Sequence, residues 1–292
     1  MRPLLSALRI AYEAFLAFVR DEGWMIASHI ALSTLMSLFP FLIFVTALTG
    51  FLFGSERLSD QVAQLLLESW PREVAEPISR EIGNVLTNAR GGLLTVGVVL
   101  ALYFSSSGIE SLRIGLNRAY GETEIRPWWL LRLESIAYVF VAALALSALA
   151  FLIVLAPLIL RTASRYAPAL AGLEGILTFA RLGIATTVLV VALVLGHKWL
   201  PHGHRSLSEI APGIVVTLIL WLLTGEAFGS YLAEFSRAYV TTYAGLASAM
   251  VALVFLYWAA GIFVYGGELN QAIRKAKRAR PPSAGKLPSR DD

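Results

Sequence analysis

The chain has 292 residues, of which 57% are hydrophobic and only 15% charged, with a mean hydropathy of +0.68, whereas a soluble domain carries roughly 25% charged residues. That balance excludes an ordinary soluble enzyme and indicates a membrane protein. There is no cysteine, which excludes disulfides and thiolate metal sites, and the net charge of +4 is concentrated in particular segments.

Residues 1–24 carry charges of both signs and lead into an apolar run without a small-residue cleavage site. They read as a cytoplasmic N-terminal segment rather than a signal peptide. A bilayer core of about 30 Å needs about 20 apolar residues as helix, at about 1.5 Å per residue. Six stretches meet that need: Met25 to about Phe53, Gly92 to about Ser107, Ile136 to Leu160, about Leu182 to Leu200, Ile210 to about Phe228, and about Ala244 to Glu268. The fold class is therefore all-α, a polytopic membrane helix bundle of about six transmembrane helices over residues 25–270, with short amphipathic helices added.

Between the first two spans, in an outer segment 54–91, Leu58, Val62, Leu65 and Leu66, then Ile78, Ile82, Val85 and Leu86, recur at helical spacing. They predict two short amphipathic helices, separated by Pro71 and Pro77. After the second span, Ser107 and Glu110 stand at capping-box spacing, and Ile109, Leu112 and Leu116 form an apolar edge. The spacing predicts a new helix lying at the inner interface and ending near Gly121. Ser206 and Glu209 repeat the capping pattern before the fifth span, with Pro212 in its first turn. Residues 271–292, basic and rich in Pro and Ser from Arg274 onward, read as a disordered cytoplasmic tail.

Cytoplasmic loops are enriched in Lys and Arg. With both termini inside, sixteen of the 24 Lys and Arg residues fall on the inner side and eight on the outer. Trp24, Trp128, Trp129 and Trp199 then mark an inner aromatic belt.

Several residues could carry function. His29, Ser33 and Ser37 are spaced four apart on one face of the first span, with Pro40 beyond them. A proline there removes a backbone donor and crowds the carbonyl of Met36, so this helix can line a substrate path. Small hydroxyl residues also let helices pack closely, and both readings stand. Ser105 and Ser106 in the second span, Glu226 in the fifth, and Glu268 and Asn270 at the end of the sixth complete the candidate path-lining set. A Glu at a span end can equally reach water or cap a helix. His197, His202 and His204 form a short tract but lack a carboxylate or thiolate spaced to complete a metal site. The run Ser105, Ser106, Ser107 offers a nucleophile with only His29 as a base within the membrane, which is weak support for proteolysis. No catalytic, cofactor or metal residues are assigned, and the chain reads as a non-enzyme.

Ser37-Leu38-Phe39-Pro40, Pro201 ahead of Pro212-Gly213, Trp221, Tyr243-Ala244-Gly245, Tyr257-Trp258 and Gly266-Gly267-Glu268-Leu269-Asn270 occur in this order. Together they resemble the YihY/BrkB family of bacterial inner-membrane proteins over roughly residues 10–275. Gly267 stands where that family usually has Ala, and Ala244 interrupts a common Tyr-Gly pair. The resemblance implies six spans, an old ribonuclease label regarded as a misassignment, and a role in transport or envelope function. It implies no catalytic residue.

The leading functional expectation is a transporter or lipid- and amphiphile-handling protein of the cell envelope, with the first, second and sixth spans framing a path. Its expected partners are membrane lipids, anionic ones at the cytoplasmic face, and a second copy of the chain; nucleic acid is not among them. No Gly-rich nucleotide loop is present, which argues against ATP coupling within the chain. The alternative is a non-transporting membrane scaffold that recruits envelope partners through segment 58–86 and the tail. A ribonuclease ranks last, because the inner loops offer only scattered acids and histidines.

Overall fold

In hydrocarbon every backbone N–H and C=O must be satisfied internally, and a long apolar run achieves this as a helix. The computed structural model of the protein describes residues 2–53, 91–166, 174–243 and 247–278, with side chains over 6–45, 48, 97–149, 179–180, 183–232 and 249–278. Its elements are α1 (Arg2–Arg20), α2 (Gly23–Phe53), α3 (Gly91–Tyr120), α4 (Trp128–Tyr166), α5 (Glu174–Trp199), α6 (Leu207–Tyr243) and α7 (Ala247–Arg278). Four of them contain stretches long and apolar enough to cross a membrane: Gly23–Val45, Trp128–Leu149, Leu207–Leu232 and Ala249–Arg278. The expected second and fourth spans fall on α3 and α5; α5 contributes a shorter apolar stretch, Gly183–Trp199. A helical membrane bundle is thus the architecture, with four of six expected spans meeting the length requirement among the described residues.

The helices α2, α3 and α7 pack against one another, α6 lies on α7, α4 on α3 and α2, and α5 joins α4 to α6. Small residues set the closest approaches. Gly115 of α3 faces Ile26 and Ile30 of α2 and Val264 of α7, and Gly267 faces Ala119 and Leu116. Between α6 and α7, a Cβ on Gly213 would collide with the Gly266 carbonyl oxygen, so only glycine permits this contact. Leu116, Tyr120, Ile210, Ile214 and Phe263 build the core where α3, α6 and α7 meet. The outward side chains Met36, Val99, Phe104, Leu222 and Leu223 are apolar and exposed, as lipid contact requires and water contact would not.

Three local expectations change. The helix expected to start anew at Ser107 does not: α3 runs unbroken from Gly91 to Tyr120. Ser107 and Glu110 lie mid-helix, where Glu110 pairs with Arg132 of α4 instead of capping, and no residue from 107 to 120 breaks the backbone ladder. Residues 2–20 form a helix rather than an unspecified segment; Phe18 stacks edge-on against Trp24 at 4.9 Å, and Tyr265 donates to the Ala11 carbonyl at 3.1 Å. At the other end α7 continues to Arg278, so residues 271–278 of the expected tail are helical. The Ser206–Glu209 cap is present, the Ser206 N–H donating to Glu209 Oε2 at 2.8 Å, although Pro212 falls in the second turn of α6. The amphipathic pair expected over 58–86 and residues 279–292 lie outside the described residues.

Candidate functional site

The C-terminal ends of α3, α5 and α7 and the N-terminal ends of α4 and α6 converge at one end of the bundle. Tyr120 is the last residue of α3, and Gly121 follows at φ +65°. The Gly121 N–H donates to Arg118 O at 3.0 Å and the Glu122 N–H to Asn117 O at 2.8 Å, which closes the helix with a left-handed glycine. The chain then leaves as an acidic and basic connection carrying Glu122, Glu124 and Arg126.

Beneath this connection a buried polar set ties four helices together. Asn270 of α7 donates to the Tyr120 hydroxyl at 3.0 Å and accepts the Gly213 N–H of α6 at 2.6 Å. Gln271 donates to the Tyr120 carbonyl at 2.8 Å. Burial pushes the Tyr120 phenol up to about 12, so it stays protonated. Since that oxygen accepts from Asn270, its proton is directed to His197 Nδ1 of α5, 2.9 Å away. His197 Nε2 then carries the ring hydrogen and finds no protein partner among the described residues.

The outer layer is ionic. Arg126 grips Glu124 through two nitrogens, at 2.8 and 2.7 Å, reaches Glu134 at 2.8 Å, and donates to the Leu200 carbonyl at 3.1 Å. Arg126 and Asn117 together hold the Glu124 carboxyl down to about 2. Asn117 also accepts the His202 N–H at 2.7 Å, fixing the α5–α6 loop to the end of α3. In that loop Gly203 has φ +93° and lies against Glu122, a conformation that an L side chain rarely adopts.

Between α4, the end of α5 and this loop lies a cavity of about 630 Å³. Its polar side carries Arg126, Lys198 and Arg205 against a single carboxylate, Glu134; its other wall is apolar, with Ala137, Val141, Leu195 and Trp199. A site of this size takes a ligand of up to drug-like dimensions. Arg205 is 6% exposed, stacks 4.0 Å over the Tyr120 ring, and places Nη2 on the His202 carbonyl at 2.8 Å and on Glu122 at 3.2 Å.

The residues singled out from sequence lie mostly elsewhere. Ser37 is buried where α2 meets α3: its hydroxyl donates to Thr34 O at 3.0 Å, and Gly108 sits directly against it. Ser105 and Ser106 are buried and donate to Ala101 O and Tyr103 O, both at 2.6 Å. Ser33 and Pro40 are half-buried, and His29 is exposed with Nε2 3.5 Å from Ser111 Oγ. Ser37 therefore packs into the α2–α3 seam, whereas Ser105 and Ser106 spend their hydroxyls on carbonyls of α3 itself. Glu226 is exposed, and Glu268 is buried at 3% exposure. Of these residues only Asn270 joins the hydrogen-bonded set around Tyr120. The His tract separates: His197 is buried on Tyr120, whereas His202 Nδ1 lies 3.9 Å from Glu124. Among the described residues no group of three His, Asp or Glu side chains is placed to hold a metal. Tyr120, Lys198 and Arg205 were not selected from sequence; their signal was only that cations and aromatics cluster at inner span ends.

Fold and site together define a polytopic α-helical membrane protein with an amphipathic cavity at its charged end. The model of the family described as Virulence factor BrkB matches residues 14–290, and the chain belongs to this family. It is 28% identical over 266 residues to the ribonuclease-like protein YfkH of Bacillus subtilis (strain 168), covering 91% of this chain and 95% of that one. It is 23% identical over 282 residues to the UPF0761 membrane protein RC1_0578 of Rhodospirillum centenum (strain ATCC 51521 / SW), covering 97% of this chain and 61% of that protein. No solved structure matches.

Proposed function

We propose that the chain is a bacterial inner-membrane protein that takes up and moves amphiphiles, lipids among them, through the cavity between α4 and α5. One observation carries this reading: the cavity joins a cationic side to an apolar wall, the two environments an amphiphile presents at once. The excess of Lys and Arg at this end supports placing it, with both termini, in the cytoplasm. In this reading α2, α3 and α7 form the static seam, and the serine stripe serves packing.

The test is translocation of a fluorescently tagged phospholipid in vesicles containing the purified chain, with dithionite quenching of the outer leaflet. Inner-leaflet probe should become quenchable faster as protein is added, and Ala137→Trp, which fills the cavity, should slow it. Rates equal to those of empty vesicles at every protein density would overturn the reading.

A non-transporting scaffold is the second reading. It is favoured by the exposed apolar stripe of Leu8, Tyr12, Leu16 and Val19 on α1, which can lie in a membrane interface or take a partner helix. The ribonuclease-like name of the Bacillus relative raises nuclease activity, against which we read the chain as a non-enzyme. Hydrolysis of RNA by purified protein with divalent metal would reverse that.

A further inference from the structure

Helix α1 carries three kinds of surface where a helix packed in water needs two. At about 100° per residue, Ala11, Ala14 and Phe18 fall on one side and face the bundle. Ala14 and Phe18 are buried, and Tyr265 of α7 donates to the Ala11 carbonyl at 3.1 Å while its ring meets Phe18 edge-on at 6.5 Å. Arg9, Glu13 and Arg20 fall on the opposite side, exposed, with Arg9 donating to Glu13 at 2.8 Å. Between these sides lies an apolar sector of Leu8, Tyr12, Phe15, Leu16 and Val19, all of it exposed among the described residues. Side chains of this size lined up in water would be a liability.

The height of α1 is fixed by two links. Tyr265 lies one turn before Glu268, where the sixth span read from the sequence ends. Only Asp21 and Glu22 separate α1 from α2, the Asp21 N–H donating to the Ala17 carbonyl at 2.8 Å and the Met25 N–H to the Glu22 carbonyl at 2.9 Å. At this turn Trp24 packs edge-on against Phe18 at 4.9 Å, and an indole favours the headgroup layer. The exposed Met25, Leu32 and Met36 of α2 continue the apolar surface from there into the span. The helix is therefore held where headgroups give way to acyl chains.

We infer that α1 lies in the plane of the membrane, in the leaflet at the charged end of the bundle, with its apolar sector among the acyl chains and Arg9 and Arg20 reaching the phosphates. The three sectors then meet protein, hydrocarbon and water in turn, which is the division an interfacial helix requires. At that depth lipid already satisfies the five apolar side chains, so no hydrophobic gain remains for a second copy or a partner helix seated on them. Long arginine stems let the charges stay in the polar layer. This placement stands whether or not lipid enters the α4–α5 cavity.

The chain has no cysteine, so single spin labels can be placed on it directly. Tyr12→Cys, Leu16→Cys and Val19→Cys are compared with Arg9→Cys and Glu13→Cys in the full chain, reconstituted in vesicles of phosphatidylethanolamine and phosphatidylglycerol. Each variant changes one exposed side chain and leaves the bundle core untouched. Collision with oxygen, which concentrates in hydrocarbon, is measured against collision with an uncharged nickel chelate, which stays in water. The three apolar positions should favour oxygen several-fold and read a depth of about 5–10 Å into the boundary of headgroups and acyl chains. The two polar positions should favour nickel by a similar factor. Nickel reaching all five positions would put α1 in water and overturn the inference. Protection of the apolar positions from both reagents, as a partner helix or residues 279–292 seated on α1 would give, overturns it as well. So does dipolar broadening that disappears on dilution with unlabelled chain, the mark of a second copy.

Discussion

Asn270→Ala should loosen the junction of α3, α5, α6 and α7 without touching the apolar core. The asparagine is 2% exposed and makes two bonds to other helices, from Nδ2 to Tyr120 and to Oδ1 from Gly213. Hydrogen bonds between membrane helices contribute about 0.6 kcal/mol on average and up to about 1.7. Tyr120 retains His197 as a partner and the Gly213 N–H lies inside α6 with an i−4 carbonyl in reach, so the loss is that of the two bonds between helices. The expected loss is about 1–3 kcal/mol. Titration with sodium dodecyl sulfate in mixed micelles, followed by circular dichroism, reads it directly. Tyr120→Phe in a double-mutant cycle should show coupling of about 0.6–1.7 kcal/mol with Asn270→Ala. A loss under about 0.5 kcal/mol, or additive singles, would mean that the buried set does not tie the helices and would refute the reasoning.

Gly213→Ala drives a methyl into the Gly266 carbonyl and the Asn270 amide. Overpacking of this kind costs about 1–3 kcal/mol, so its unfolding midpoint should fall, and Gly225→Ala, which meets open space, should be near neutral by the same assay. For Glu124, the folded-state carboxyl lies at about 2 against an ordinary 4.5. A depressed carboxylate contributes stability that is complete above the ordinary value and is lost as pH falls from 4.5 toward 2. Melting temperatures of the wild type should therefore drop over that window more steeply than those of Glu124→Gln; parallel curves would dismiss the Arg126–Glu124 clamp.

Four of the six expected spans were legible because a bilayer imposes a length and an apolarity that a window of about 20 residues displays. The α6 start was legible too, since Ser206 and Glu209 cap it locally. The run from Ser107 was misleading for the same local reason: a serine and a glutamate three apart look like a cap whether or not the helix has already begun. What fixed Glu110 was Arg132, on another helix. The candidate site was nearly invisible, because its parts meet only through the fold: Tyr120 joins His197 across 77 positions and Asn270 across 150. Asn270 was picked out as polar near a span end, which is correct as an observation but says nothing of its partners. Arg205 looked like one more inner cation, and only burial beside a cavity distinguishes it.

The claim that the α4–α5 cavity receives lipid is tested most directly by photocrosslinking. The protein is reconstituted with a phospholipid carrying a diazirine on its acyl chain, irradiated, and its adducts mapped by mass spectrometry. The account predicts adducts on Val141, Leu195 and Trp199 well in excess of those on Leu222 and Leu223, which are more exposed on the bundle surface. Adducts distributed simply by surface exposure would contradict it.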